Sequence, residues 1–234
     1  MLKFSNTMEQ TPSSALVDAL FKVGAHYGHI RSRRHPSAAE YVFGTKEKVE
    51  IFDLEKTAAS IIAVQEYIKK ILASKGVILF VGSKPEARAA VARTAQKVNM
   101  PFVSGRWIGG TFTNFSEIKK RIARLETLRG ERERGDFAKY TKRERIMLDK
   151  EIEQLEGNFS GITSMKEMPQ AIFVVDAKRE HIAVEEAIAQ KIPVISLSST
   201  DCDFSKINMV IPGNDASITS INFFMDKVAE AFAQ

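Results

Sequence analysis

The chain has 234 residues, of which 44% are hydrophobic and 27% are charged, an ordinary balance for a soluble globular protein. Its longest apolar runs, such as residues 77–81, are far too short to span a bilayer, and the N-terminus lacks the apolar core of a secretion signal, so we expect no membrane partner. The single cysteine, Cys202, excludes an intrachain disulfide and fits a reducing compartment, while the net charge of +5 favours a polyanionic partner without establishing one.

The N-terminal third is predicted to begin with a short helix that Ser13 or Ser14 caps. Residues 28–48 are rich in arginine and lysine and predict a basic loop that contains one short strand at 41–43. An alternating strand at 49–52 and a helix at 54–73 follow, and the helix carries a broad apolar stripe that would face a core.

From residue 75 onward the sequence alternates between strand and helix patterns. Five short apolar runs are predicted to be strands, at 76–82, 100–104, 170–177, 192–199 and 208–213. Continuous apolar runs are typical of parallel strands that are covered on both faces. The repeated units predict a flavodoxin-like or Rossmann-like α/β fold, with a parallel five-stranded sheet and helices on both faces. Asn214 or Asp215 is expected to cap the closing helix.

Residues 114–158 interrupt this alternation with two charged helical segments. Apolar residues recur there at spacings of three and four, namely Phe115, Ile118, Ile122, Leu125 and Leu128, then Leu148, Ile152 and Leu155. A narrow apolar seam on two helices predicts an antiparallel coiled-coil hairpin that projects from the sheet domain. We therefore expect residues 1–113 and 159–234 to form an α/β domain with an N-terminal basic extension, and 114–158 to be an inserted hairpin.

The sequence contains no recognisable catalytic or cofactor motif. The turn after the first sheet strand reads FVGSKPEA, with one glycine where a dinucleotide site needs three. Lys84 in this turn is interpreted as a solvated lysine, and the acidic loop around Cys202 as a solvated cap. Since nothing assembles a nucleophile, a base and an oxyanion hole, we expect no enzyme and no cofactor. The alternative is an enzyme handling nucleotides or sugar phosphates at these strand-end loops.

Three histidines, His26, His29 and His35, lie close together and raise the question of a zinc site. Their spacing matches no strong ligand template, and no pair of cysteines supports them. A structural or RNA-facing role is therefore favoured, and no metal is expected.

Two basic stretches are candidates for RNA binding. The first comprises Arg31, Arg33, Arg34, Lys46 and Lys48; the second comprises Lys119, Lys120, Arg121 and Arg124 and continues through the hairpin tip to Lys142 and Arg143. Cations spaced along a helix can meet successive phosphates and release counterions. The alternative is a solvated coiled-coil face with internal Glu–Arg pairs, which is nearly as well supported at the tip. A third possibility is a coiled-coil adaptor that binds only protein.

The segment at 104–115, SGRWIGGTFTNF, is predicted to form an elbow between the sheet and the hairpin. Its tryptophan is interpreted as a core anchor, the glycine pair as a sharp bend, and a threonine or asparagine as the helix cap. The elbow residues are accordingly Trp107, Gly109, Gly110 and Asn114, with Thr113 as the other candidate cap. Arg106 could position a phosphate or stack on a base.

The elbow resembles a signature of the bacterial-type small-subunit ribosomal protein S2 family. RWIGGTFTNF is similar to R-W-[LI]-G-G-x-[LF]-T-N-[WF], and further similar segments follow the family's order at 24–29, 42–57, 169–187 and 211–217. Two loops depart from the family pattern, at 34–38 and 199–204.

The resemblance implies a non-enzymatic constituent of the small ribosomal subunit in the cytoplasm, bound on the solvent side between head and body. It implies ribosomal RNA and neighbouring small-subunit proteins as partners. The family joins the RNA late in assembly, and in many bacteria it helps to recruit ribosomal protein S1.

Overall fold

The computed structural model describes residues 14–233. Within this range the first helix is α1 (Ser14–Lys22), which includes the candidate cap Ser14; the alternative cap Ser13 lies outside the described residues. Among the described helices, none combines the length and apolarity that crossing a bilayer requires.

A three-stranded antiparallel sheet, the N-terminal sheet, follows α1. It consists of β1 (Tyr27–Ile30), β2 (Val42–Lys46) and β3 (Val49–Phe52), in the order β1-β3-β2. The short strand expected at 41–43 overlaps β2, but β1 was not expected, and the interpretation of residues 28–48 as mainly a loop was wrong. Both ladders contain register shifts, and these irregularities together with the glycines at 28 and 44 hide the alternation that reveals a strand.

Close contacts attach the N-terminal sheet to the loop after residue 198. Gly28 lies so near Thr200 that a Cβ atom at this position would be 2.7 Å from the threonine methyl group. The backbone N–H of His29 donates to the Thr200 hydroxyl at 3.0 Å, and that of His35 donates to the Thr200 carbonyl at 2.8 Å. Glycine is therefore needed at position 28 for close backbone approach.

The main sheet is entirely parallel, which confirms the predicted five-stranded α/β fold. Its strands are β4 (Ile78–Val81), β5 (Phe102–Val103), β6 (Ala171–Val175), β7 (Val194–Ser198) and β8 (Met209–Pro212), in the order β5-β4-β6-β7-β8. The flanking helices are α2 (Leu54–Ala73), α3 (Pro85–Lys97), α6 (His181–Ala189) and α7 (Ile218–Glu230). Counted alone, the five strands have the flavodoxin-like order 2-1-3-4-5, whose switch point lies between β4 and β6.

Successive residues of the strands point into two different cores. Phe80 and Phe173 belong to a cluster with α1, α2, α3 and α7, whereas Leu79 and Ile172 belong to a second cluster with α6. Such alternation is the geometry of a strand buried on both faces, as the continuous apolar runs predict.

The expected cap of α7 was wrong. The helix begins at Ile218, after Ser217, and Asn214 instead organises the preceding turn by accepting from the N–H groups of Ala216 and Ser217. Asp215 is 1% exposed and turns towards the edge of the sheet. Polar residues before a helix compete for such turn contacts, so the cap is not fixed by local sequence.

Residues 114–158 form the two helices that their periodicity predicts, α4 (Phe115–Glu133) and α5 (Lys142–Phe159). A capping box between Thr141 and Glu144 begins α5. The buried seam residues, Ile118, Ile122, Leu125, Leu128, Ile152 and Leu155, belong to the second core cluster. That this hairpin projects as an arm, and that it forms a unit separate from the sheet domain, both stay predictions.

Candidate nucleic-acid interface

The structure brings the two halves of the N-terminal basic stretch together. The backbone N–H of Arg31 donates to the carbonyl of Lys48 at 3.0 Å, which fixes the turn at 31–33 against the β2–β3 turn. Glu47 and Lys48 form that turn with φ of 50° and 69°. The side chains of Arg31, Arg33, Lys46 and Lys48 are all exposed, and none forms an ion pair within residues 14–233. We call this group the N-terminal cationic surface.

Arg34 differs from its neighbours because it neutralises a buried charge. Its Nη1 donates to Glu50 Oε1 at 3.0 Å, and the Glu50 side chain is fully buried on β3. A buried carboxylate without a partner is strongly unfavourable, so this pair holds Arg34 in place. Arg34 is therefore less available to phosphate than Arg31 and Arg33.

Part of the predicted stripe on α4 is neutralised within the hairpin. Lys120 Nζ lies 2.6 Å from Glu117 Oε1, and this hydrogen bond lowers the pKa of Glu117. Arg124 makes two hydrogen bonds to Glu151, at 3.1 and 3.3 Å, which raise the pKa of Arg124. The internal pairing considered as an alternative is thus present for these two residues.

Four further candidate cations of the hairpin, Lys119, Arg121, Lys142 and Arg143, are exposed and form no ion pair among the described residues. Lys119 lies over the ring of Phe115 with its Nζ 4.8 Å from the centroid, and Arg121 is on the adjacent exposed position. Lys142 and Arg143 begin α5. At the tip, by contrast, Arg132 pairs with Asp149 and Arg134 with Asp136.

The elbow at 104–115 is organised by a buried carboxylate that sequence reasoning missed. Glu186 Oε1 accepts from Trp107 Nε1 at 3.2 Å and from the Gly110 N–H at 2.7 Å. Its Oε2 accepts from the N–H groups of Phe112 and Thr113 at 2.9 and 3.3 Å. A buried carboxylate that accepts from four donors of one loop fixes the position of that loop. The sequence contains one indication of this role. Glu186 lies three residues after Ala183, so a helix places both on the same buried side of α6.

The individual elbow residues have distinct environments. Trp107 is buried with its ring edge towards Phe112, and Arg106 is exposed. Gly110 has a φ of +91°, a left-handed conformation that favours glycine, whereas Gly109 has no such value. Asn114 occupies the N-cap position of α4, but its side chain makes no capping hydrogen bond; its carbonyl oxygen accepts from Glu117 and Ile118.

The carboxyl edge of the main sheet contains an internal charge network. Lys84 Nζ lies 3.1 Å from Asp176 Oδ2 and 3.1 Å from Asp215 Oδ1, with its side chain only 13% exposed. The interpretation of Lys84 as a solvated turn lysine was therefore wrong, because two carboxylates on other strand ends surround it. Burial, followed by the charge of Asp176, raises the pKa of Asp215 to about 7.

The loop at 199–204 is also not the solvated cap that was expected. Thr200 and Cys202 are buried, and burial raises the pKa of the Cys202 thiol to about 12. Ligand atoms of Asp176, Cys202 and Asp215 lie within 4.8 Å of one another, but the Lys84 ammonium already lies 3.1 Å from both carboxylates, and the thiol with its raised pKa remains protonated. The network ties three strand ends together and offers no free cation to an anionic substrate.

The three histidines have separate partners. His26 stacks on Phe21 with ring centroids 4.6 Å apart, His29 Nε2 lies 3.5 Å from Asp201 Oδ1, and His35 Nδ1 lies 3.7 Å from Asp203 Oδ1. Within residues 14–233, no cluster of three metal-ligand side chains includes a histidine. The histidines therefore serve as structural contacts of the N-terminal segment.

Comparison with known proteins identifies the family of the chain. The family model for ribosomal protein S2 matches residues 20–234. The chain is 38% identical over 222 residues to the small ribosomal subunit protein uS2 of Chloroflexus aggregans, covering 95% of this chain and 93% of that protein. It is 40% identical over 220 residues to uS2 of Micrococcus luteus, covering 92% and 76% respectively.

The family is one of structural proteins of the small ribosomal subunit, and it is not a family of enzymes. The signature at the elbow, the parallel sheet and the extent of these matches all agree. The chain belongs to the ribosomal protein S2 family.

Proposed function

We propose that this protein is a structural constituent of the small ribosomal subunit that binds small-subunit ribosomal RNA through two cationic surfaces. The observation that carries the proposal is the division of the basic residues into paired and unpaired groups. Arg34, Lys120 and Arg124 neutralise carboxylates of the protein itself. Arg31, Arg33, Lys46, Lys48, Lys119 and Arg121, by contrast, are exposed, form no ion pair among the described residues and remain available to phosphates.

The N-terminal cationic surface supports the proposal by its density. Arg31, Arg33, Lys46 and Lys48 are separated in sequence, yet one backbone hydrogen bond joins their two turns. Neighbouring cations without internal partners release condensed counterions when they meet a phosphate backbone, and this favours RNA over most protein surfaces.

The second surface is formed by Lys119 and Arg121 on α4, with Lys142 and Arg143 at the start of α5 and Arg106 at the elbow as further candidates. Cations along a helix match the spacing of phosphates along a groove. Neighbouring small-subunit proteins, a late place in assembly and the docking of ribosomal protein S1 are also part of the proposal, and family membership alone supports them.

The test reverses charges on the unpaired cations only. We expect Lys119→Glu with Arg121→Glu, and separately Arg31→Glu with Arg33→Glu, to leave a folded protein that binds small-subunit RNA weakly and enters subunits poorly. The logarithm of the RNA affinity should fall with the logarithm of salt by about 0.7–0.9 per phosphate contact, and each variant should have a shallower slope than the wild type. Sucrose gradients and RNA-binding titrations over a range of salt measure these effects.

Lys69→Glu with Lys97→Glu is the matched control, because both lysines are exposed, lie outside the two surfaces and give the same change in charge. This control should bind and assemble like the wild type. Normal incorporation of both test variants, or equal losses in the control, would count against the proposal. Retained association with ribosomal proteins and no salt-dependent RNA binding would instead indicate a protein adaptor.

A further inference from the structure

The N-terminal sheet has one buried face and one exposed face. Residues directly opposite each other in an antiparallel pair lie on the same face. The register pairs Tyr27 and Gly44 with Ile51, and Ile30 and Lys46 with Val49. Since residues 49 and 51 share a face, these six positions form one surface, which we call the outer face. Glu50 and Phe52 point to the opposite side and are buried.

Large apolar side chains on and beside the outer face are unusually open to solvent. Tyr27 is 50% exposed, Ile30 is 42% exposed, and Phe43, at the register shift in β2, is 81% exposed. Around Gly44, a Cβ atom would meet nothing within 4 Å, so the surface beside Ile51 is uncovered. Clustered exposed apolar groups mark an interaction site more often than isolated ones do.

The aromatic ring of Tyr27 is held in place from behind. His26 lies against it with ring centroids 4.1 Å apart, and Phe21 in turn stacks on His26 at 4.6 Å with only 13° between the planes. Burial lowers the pKa of His26, so the neutral imidazole is favoured in this group of three rings. A ring that is already oriented loses less freedom when a further planar group stacks on it.

Cations border the outer face. Lys46 belongs to it directly, Lys48 occupies the next turn, and Arg31 follows Ile30 at the end of β1. Glu47 in the same turn is the exposed acidic residue nearest to them in sequence, and the buried Glu50 is paired with Arg34. The border is therefore predominantly positive, which suits a polyanion and not an apolar protein surface.

We propose that the outer face binds unpaired bases of single-stranded RNA, with Phe43 and Tyr27 stacking on bases while Arg31, Lys46 and Lys48 contact the adjacent phosphates. This deepens the proposed RNA-binding function and rests on it. Aromatic side chains beside cations are the usual means of holding single strands, because every base has a π face and every nucleotide a charge. Double-stranded RNA, whose bases are already stacked, would engage the cations alone.

The test compares two labelled probes of equal charge with the full chain. One is an oligouridylate of about ten nucleotides, and the other is an abasic ribose-phosphate strand of the same length. Wild-type protein should bind the base-bearing strand about tenfold more tightly or better, since two stacked bases at about 1 kcal/mol or more each contribute at least that much. Fluorescence anisotropy at fixed salt measures both affinities.

Phe43→Ala should remove most of this preference and leave binding of the abasic strand unchanged. Its side chain is 81% exposed, so the fold should not depend on it. Phe43→Trp should restore the preference, whereas Phe43→Leu, which is apolar but cannot stack in the same way, should not. Lys46→Glu with Lys48→Glu should weaken the binding of both strands.

Three results would overturn the proposal: equal affinity of the wild type for the two strands, an unchanged preference in Phe43→Ala, or an effect of Phe43→Ala only on association with ribosomal proteins. The last would make the outer face a protein contact. These failures are distinct from failure of the proposed function, because subunit incorporation and salt-dependent binding of small-subunit RNA would still be intact.

Discussion

At the residue scale, buried carboxylates organise this protein, and each has a different kind of donor. Glu186 accepts from the elbow backbone and Trp107, Glu50 from Arg34, and Asp215 from Lys84 and the Ser199 N–H. Removing a carboxylate of this kind leaves several donors unsatisfied, which costs more than the net value of each hydrogen bond.

Glu186→Ala should strongly destabilise the protein. Its loss would leave the indole N–H and the N–H groups of Gly110 and Phe112 without their acceptor, so we expect the free energy of unfolding to fall by about 2–5 kcal/mol. Urea denaturation followed by the fluorescence of Trp107 measures this change. Glu185→Ala is the control, because Glu185 is the exposed neighbour on the same helix, and it should change stability by less than about 0.5 kcal/mol. Equal effects of the two substitutions would contradict the role assigned to Glu186.

Asp215 should make stability depend on pH. Its pKa rises from an ordinary 3.8 to about 7 on folding, mainly through burial and then through the charge of Asp176. Between these values the folded state holds a proton that the unfolded chain has released, so the contribution of Asp215 to stability is greatest below about pH 4, falls as pH rises to about 7 and is level above it. Relative to Asp215→Asn, which does not titrate, the wild type should therefore lose stability over this window.

Urea denaturation at several pH values between these limits gives the difference curve for Asp215→Asn. Asp226→Asn is a suitable control, since the Asp226 side chain is 60% exposed. A change in the Asp226→Asn curve as large as that for Asp215→Asn would show that the effect does not depend on the buried position. The opposite result for Asp215→Asn would contradict this prediction. If the wild type became more stable relative to Asp215→Asn as pH rises, the pKa of Asp215 would not be raised on folding.

At the element scale, the apolar seam holds α4 and α5 together more than the charges on their surface do. Leu125 and Leu128 are 0% exposed, whereas the Arg124 and Glu151 side chains are 44% and 40% exposed. Solvent screens ion pairs at such exposure, and ordering two long side chains offsets much of the attraction. The ion pairs therefore help to set the register of the helices and neutralise cations that the sequence leaves apparently free.

Leu125→Ala should lower the free energy of unfolding by about 2–5 kcal/mol, because it leaves a cavity in the seam. A double-mutant cycle of Arg124→Gln and Glu151→Gln should give a coupling energy below about 1 kcal/mol. Thermal or urea denaturation measures both quantities. If the coupling energy were as large as the stability lost in Leu125→Ala, the ion pairs would hold the two helices together as strongly as the apolar seam does.

At the scale of the whole molecule, the hairpin seam and one face of the sheet form a continuous core. Ile122 and Leu125 of the seam belong to the same hydrophobic cluster as Val81 and Val174 of the central strands. Trp107 of the elbow is a further member of this cluster. Contiguous packing of this kind favours a single unfolding transition, even where a sequence suggests an inserted unit.

We therefore expect the seam and the sheet to open together. Native-state hydrogen exchange should give the amides of Leu125 and Phe173 similar opening free energies, and Trp107 fluorescence and far-ultraviolet circular dichroism should report the same midpoint. Seam amides that exchange through a much less stable opening would contradict this expectation. They would support a hairpin that unfolds as an independent domain.

Much of the fold was predictable because its signals are local. Apolar runs such as 171–175 mark strands buried on both faces, and the spacing of Ile118, Ile122 and Leu125 marks a helix with one buried side. Of the N-terminal sheet, β3 and part of β2 were predicted, whereas β1 and the pairing of the three strands were missed. These strands are short, their ladders contain register shifts, and the outer face carries apolar residues where alternation calls for polar ones.

The sequence by itself determined the parallel α/β class, the two helices of the hairpin, the family signature and the presence of two basic stretches. Only the tertiary structure decided which charges are free. Arg34 pairs with Glu50, Lys84 with Asp215 across 131 positions of sequence, and Glu186 with an elbow 79 positions away. An arginine or lysine looks the same in the sequence whether its side chain is in water or beside a buried carboxylate. Which of the two applies depends on how distant segments pack together, and local sequence patterns do not show that packing.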